Sequence, residues 1–208
     1  MYAGMLARPT PSGQHTVIHH STIGPAVPRG GNAATRFAGR CLLAGMGWRL
    51  HGEIPNRSKF IIAVAPHSSN IDFILTMGVI MSLGLKCSFL AKRTLFHFPL
   101  GFLMRLFGGI PVDRSSSHGV VEQLIKQFQN SSDLVLGIAP EGTRQQVQRW
   151  RSGFAQIAQG ANVPVLPAIV DYRAKCVTFR ALIEDVSDVE ATLQAIQGAA
   201  STGAPRQS

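Results

Sequence analysis

The chain has 208 residues, 45% of them hydrophobic, a length that suits one domain with ample material for a packed core. Its 20 Lys and Arg outnumber 11 Asp and Glu, and the formal net charge of +9 favours anionic partners such as phosphate-bearing substrates or anionic lipid surfaces. The cations are dispersed with no basic–aromatic stripe, which argues against nucleic acid. The three scattered cysteines argue against a disulfide framework or a zinc site, and no run reaches the ~18–20 apolar residues of a spanning helix.

Cys41, Cys87 and Cys176 each lie in an apolar stretch and read as small buried hydrophobes, as suits a reducing cytosol. No His-Glu-x-x-His pair is present, so neither a metal nor a tightly bound cofactor is expected. The first residues lack a basic region followed by an apolar core, so no secretory signal is expected.

Residues 1–32 are rich in Gly, Pro, Ser, Thr and His without a hydrophobic period, and read as a disordered tail. From Ala33 to Leu50 apolar residues recur at helical spacing through Phe37, Cys41, Leu42 and Met46. That helix either packs on the core or lies in a membrane interface. Phe60–Ala65 reads as a buried strand and Ile71–Leu83 as the helix after it. Cys87–Ala91 is a second strand. Thr94–Phe107 is apolar and Phe-rich, interrupted by Pro99 and Gly101, with Arg105 the only charge after residue 94. It is either core or an exposed apolar surface facing a membrane or an acyl chain. Ile110–Val112 is a brief extended piece, Val120–Gln129 a helix and Leu134–Ala139 a strand. A short helix (Phe154–Ala161), two strands (Val165–Val170, Cys176–Phe179) and a last helix (Val189–Ile196) follow, then a polar tail over 199–208. Strands alternating with helices predict an α/β fold over 33–198: a single domain with a mixed sheet covered by helices.

Four blocks carry chemistry. In the first, His67 ends an apolar strand and Asp72 follows five residues later, opening a helix. A neutral histidine accepts a proton near physiological pH, and a carboxylate on its other ring nitrogen fixes the tautomer and stabilises the imidazolium. On a continuous helix five residues turn through about 500°, putting the pair on different faces, so the intervening Ser68-Ser69-Asn70 must bend. Those residues suit a loop and a helix cap, and their backbone N–H groups are candidate donors to an oxyanion. Taken alone, Asp72 also reads as a first-turn carboxylate favoured by the helix dipole. The other blocks are Gly108-Gly-Ile-Pro-Val-Asp-Arg114, Pro140-Glu-Gly-Thr-Arg144 and Val163-Pro-Val-Leu-Pro167. Glu141-Gly142-Thr143-Arg144 follows a buried strand, where α/β proteins tend to bind ligands. Gly142 permits close backbone approach, and Arg144 offers a planar fork suited to phosphate. Arg114 is a second phosphate candidate, unless its neighbour Asp113 pairs with it. No Gly-x-Ser-x-Gly is present, so the serine elbow of a hydrolase is absent.

In order and spacing these blocks resemble the glycerolipid acyltransferases, the family that includes lysophosphatidate acyltransferase, over roughly residues 48–172. The resemblance implies acyl transfer from a thioester, acyl-CoA or acyl carrier protein, to the hydroxyl of a lysophospholipid-like acceptor. It implies a His67–Asp72 dyad and an acceptor site at Glu141, Gly142, Thr143 and Arg144, with Arg144 on phosphate. Lys92 resembles a further basic family position. Gln145 to Gln148, and then Arg149-Trp-Arg-Ser-Gly-Phe154, depart from the residues that follow this block in many members. The latter stretch resembles a compact branch without the N-terminal spans, which leaves the acceptor head group open. Such a protein is expected to attach peripherally to a membrane surface. A lipid hydrolase and a non-catalytic lipid-binding protein are the rival readings.

Overall fold

The computed structural model describes residues 18, 22–66, 71–112, 117–141 and 150–204. Seven strands, β1 (Arg49–His51), β2 (Lys59–Ala65), β3 (Cys87–Lys92), β4 (Gly109–Val112), β5 (Leu134–Ile138), β6 (Val165–Asp171) and β7 (Cys176–Phe179), form one sheet in the order β1-β7-β6-β2-β5-β3-β4. All neighbours are parallel except the β6–β7 hairpin, so the sheet is mixed, as expected. The helices are α1 (Ala33–Met46), α2 (Ile71–Leu83), α3 (Leu100–Leu106), α4 (Ser117–Asn130), α5 (Gly153–Ala161) and α6 (Val189–Ala200).

Strand β2 explains the layering. It lies mid-sheet, and its near-continuous apolar run is what a strand buried on both faces requires. Successive side chains alternate between faces. Phe60 and Ile62 enter a core with Leu75, Val79 and Leu83 of α2. Ile61 and Ala63 enter a second core with Leu124 and Phe128 of α4, Phe154 of α5 and Ile196 of α6.

The first helix is a packed element. Asn32 and Thr35 close a capping box at its start, and Gly47, at φ 74°, ends it in the left-handed conformation that glycine tolerates. It lies against α2 so closely that a Cβ on Gly39 would fall 2.4 Å from the Ser82 amide nitrogen. Cys41, on the outer side of α1, is exposed, contrary to the buried role expected of it.

Two boundaries need correction. The expected tail at 1–32 runs too far: Ile18, Ile23 and Val27 are buried in the core on the α2 side, and Arg29 bridges to Leu85. At the other end α6 continues to Ala200, and the Tyr172 amide donates to the Ala204 carbonyl at 2.9 Å, so the ordered chain passes residue 198.

Candidate active site

Parallel pairing brings the strand ends that lie in or precede three of the four blocks to one edge of the sheet, while the fourth block, Val163–Pro167, leads into β6 at the opposite edge. Ala65 on β2 is level with Ile169 on β6, and Ala63 with Ile138 on β5. Lys92 ends β3 opposite Val112 at the end of β4. The carboxyl ends of β2, β3, β4, β5 and β6 therefore share one rim, the usual place for ligands in α/β sheets. Asp72, Glu141 and Lys92 all follow or end strands there. His67, Arg114, Gly142, Thr143 and Arg144, with the loop and cap residues Ser68 to Asn70, lie outside the described residues.

Asp72 is only 2% exposed, in the first turn of α2. The helix N-terminus favours its negative charge there. The dipole does not act alone, because the Tyr172 hydroxyl donates to Asp72 Oδ1 across 100 residues of sequence. Tyr172 opens the turn between β6 and β7. That turn is held by Asp171 Oδ1, which accepts from the Arg173 and Ala174 amides at 2.9 Å each. The Tyr172 ring meets Trp48 edge-on at 5.0 Å between centroids. The sequence blocks did not single out Tyr172. Its one signal is position: it directly follows a strand parallel to and paired with β2, so it must emerge beside the β2–α2 junction.

Glu141 is buried at 9% exposure, which sets it apart from an ordinary solvated turn residue. The Arg151 amide donates to the Pro140 carbonyl at 2.9 Å, which fixes Arg151 beside the residue before Glu141. Lys92 is exposed at the end of β3. Pro167, which ends the Val163–Pro167 block, lies within β6. Among the described residues no group of three or more His, Cys, Asp and Glu is placed to hold a metal.

Asp72 also lines a cavity of about 40 Å³ between the sheet and α2, whose other walls include Val64, Leu75, Thr76, Val79 and Cys87. Apolar walls lower the local dielectric, which strengthens the hydrogen bond that Asp72 accepts. The same burial pushes the Cys87 thiol up from 9.0 to about 12. Cys87 therefore stays a neutral thiol through physiological pH. Its contribution to stability is complete below about 9 and is lost as pH rises through about 12. At mildly alkaline pH, an alkylating reagent is expected to modify exposed Cys41 in the folded protein and to reach Cys87 only after denaturation. Peptide mapping checks this, and labelling of Cys87 as fast as Cys41 would refute its burial.

The sequence model of the acyltransferase family matches residues 48–171, more than half the chain. The chain belongs to the acyltransferase family. No curated protein sequence matches it. A solved structure similar to this one is the 1-acyl-sn-glycerophosphate (LPA) acyltransferase PlsC from Thermotoga maritima. The similarity has a TM-score of 0.62 at 17% identity and covers 80% of this chain and 75% of that one. At that identity the likeness establishes the shared fold. The acyltransferase match spans β1 through β6, and so includes every expected site residue and stops one position short of Tyr172. No helix among the described residues is long and apolar enough to cross a membrane.

Proposed function

We propose that this acyltransferase moves a fatty acyl group from a thioester donor, acyl-CoA or acyl carrier protein, to a hydroxyl of a lysophospholipid-like acceptor such as lysophosphatidate, at a membrane surface. The observation that carries this reading is the buried Asp72 carboxylate, held by Tyr172 at the carboxyl rim of the sheet and inside the acyltransferase match. In the reaction, His67 takes the acceptor hydroxyl proton as that oxygen attacks the thioester carbonyl carbon. Asp72 bonds the other imidazole nitrogen and stabilises the imidazolium. The tetrahedral intermediate then expels the thiolate, and the proton on His67 passes to that sulfur. The products are an ester and a free thiol.

The acceptor's anionic group is assigned to Arg144, with Arg114 and Lys92 adding positive charge along the rim. Gly142 and Thr143 give the loop close approach and a hydroxyl. Glu141, a buried carboxylate, repels phosphate and so serves to orient an arginine or to bind an acceptor hydroxyl. The similarity to PlsC supports a glycerophosphate-type acceptor.

The test is mass spectrometry of products from a mixture of lysolipids supplied with each of the two thioesters. A diacyl product supports transfer, free fatty acid alone supports a lipid hydrolase, and substrate binding without turnover supports a lipid-binding protein. Within that assay Arg144→Lys is expected to lower kcat/KM for the acceptor by about tenfold, since a point charge cannot replace a bidentate fork. The donor KM should change little. Unchanged acceptor kinetics would move Arg144 to a structural role.

A further inference from the structure

We infer that the outer surface of α3 and the turn before it is a docking face for an anionic lipid bilayer. This rests on the proposed membrane reading and names the surface that performs it. Seven of the ten large hydrophobic side chains exposed among the described residues fall between 95 and 107, led by Phe98 at 95%, Phe102 at 69% and Leu106 at 66%. A patch of this kind on a soluble surface marks a contact site. The scaffold beneath it is fixed. Met104 packs with Phe96 and Ala91, and a Cβ on Gly101 would fall 2.0 Å from the Phe96 carbonyl oxygen, so α3 sits hard against the 3-10 turn Arg93–Phe96. The exposed rings and leucines are thus carried outward on a packed base.

Charge decides what covers the face. Between Lys86 and Val112 the chain has no Asp or Glu. Lys92, Arg93 and Arg105 stand exposed at the patch margin, and the Arg105 guanidinium lies 5.7 Å from the Phe96 ring centroid. Apolar residues that enter the acyl region, rimmed by cations at headgroup level, match an anionic bilayer. A protein partner with a shaped groove would need one directed stripe, whereas here apolar side chains spread around a helix of seven residues. The face is also continuous with the site. Phe73, next to Asp72, meets Phe89 edge-on at 5.5 Å, and Phe89 packs against the cluster under α3. A docked α3 would hold the rim at the membrane surface, where a lysolipid hydroxyl and an acyl product both reside.

The experiment is sedimentation of the full chain with vesicles of phosphatidylcholine, with and without phosphatidylglycerol. The variants are the triple substitution Phe98→Ser, Phe102→Ser, Leu106→Ser and, separately, Arg93→Gln. All four side chains are exposed, so folding should persist, and circular dichroism confirms it. The triple variant should lose vesicle binding by at least about tenfold, since it withdraws three large apolar groups from the bilayer. Arg93→Gln should lose about fivefold on anionic vesicles and little on neutral ones, the effect of one cation near the surface. Both variants should retain acyl transfer to detergent-dispersed acceptor. Normal binding by the triple variant overturns the assignment of this face while leaving membrane attachment standing. Wild-type protein that ignores both kinds of vesicle overturns both. If the triple variant instead abolishes self-association with vesicle binding intact, a second copy of the chain covers the face and the bilayer assignment fails. Absence of transfer by wild-type protein that still binds vesicles would sink the catalytic reading alone.

Discussion

His67→Ala is expected to lower turnover by roughly 10²–10⁴-fold, the contribution of a positioned general base, without unfolding the protein. The reaction needs a base because a neutral alcohol is a poor nucleophile toward a thioester. Of the four sequence blocks, only the first supplies a group that is neutral and basic near pH 7. Asp72→Asn should also reduce turnover by orders of magnitude, through a different cause. An amide oxygen can still accept from Tyr172, so the buried position stays satisfied and the fold survives. The amide carries no charge to stabilise an imidazolium, and its NH₂ favours the wrong tautomer of His67. In the proposed mechanism the two residues act as one unit, so the double variant should be little worse than His67→Ala alone. Steady-state kinetics with circular dichroism on each protein decide the matter. Near-normal kcat in folded His67→Ala, or fully additive losses in the double variant, would remove the dyad from the mechanism.

The parts of the fold that were legible in the sequence are those whose pattern is local. β2 and α2 announce themselves because a strand buried on both faces is a continuous apolar run and the helix after it is long. β1 is three residues paired to β7 alone, too short for an alternation to register. α3 is hidden by Pro99 and Gly101, which read as breakers. In the structure Pro99 is the residue before the helix, and Gly101 is where the helix presses on a backbone carbonyl. Ile18, Ile23 and Val27 enter the core as isolated apolar residues without any period, so composition alone assigns them to a tail. The site follows the same division. Motif spacing brought out Asp72 and Glu141, whereas their burial depends on tertiary packing. Tyr172 has no motif at all, and its role follows only from knowing that β6 runs parallel beside β2.

That residue supplies the second large functional effect. Tyr172→Phe is expected to lower turnover at neutral pH by about tenfold, because the Asp72 carboxylate that loses this hydrogen bond holds the proton more firmly on His67. The substitution keeps the aromatic ring, so the edge-on contact with Trp48 and the β6–β7 turn should persist, and the lost hydrogen bond to the buried carboxylate should lower stability by about 1.5–3 kcal/mol. The diagnostic readout is the pH dependence of kcat/KM. In the proposed mechanism activity rises with pH as His67 loses its proton, and the Asp72 charge opposes that loss. The Tyr172 hydroxyl draws on the same carboxylate, so it weakens the hold of Asp72 on the imidazolium. Without the hydroxyl, the full carboxylate charge faces His67, the imidazolium is favoured, and its pKa rises. The acid limb of the profile should therefore move to higher pH in Tyr172→Phe, and turnover near neutrality should fall because less of the base is free. A residue that served only to fill space would change the melting temperature and leave that limb in place. An unshifted acid limb with wild-type kcat would assign Tyr172 to packing and leave Asp72 positioned by the α2 N-terminus.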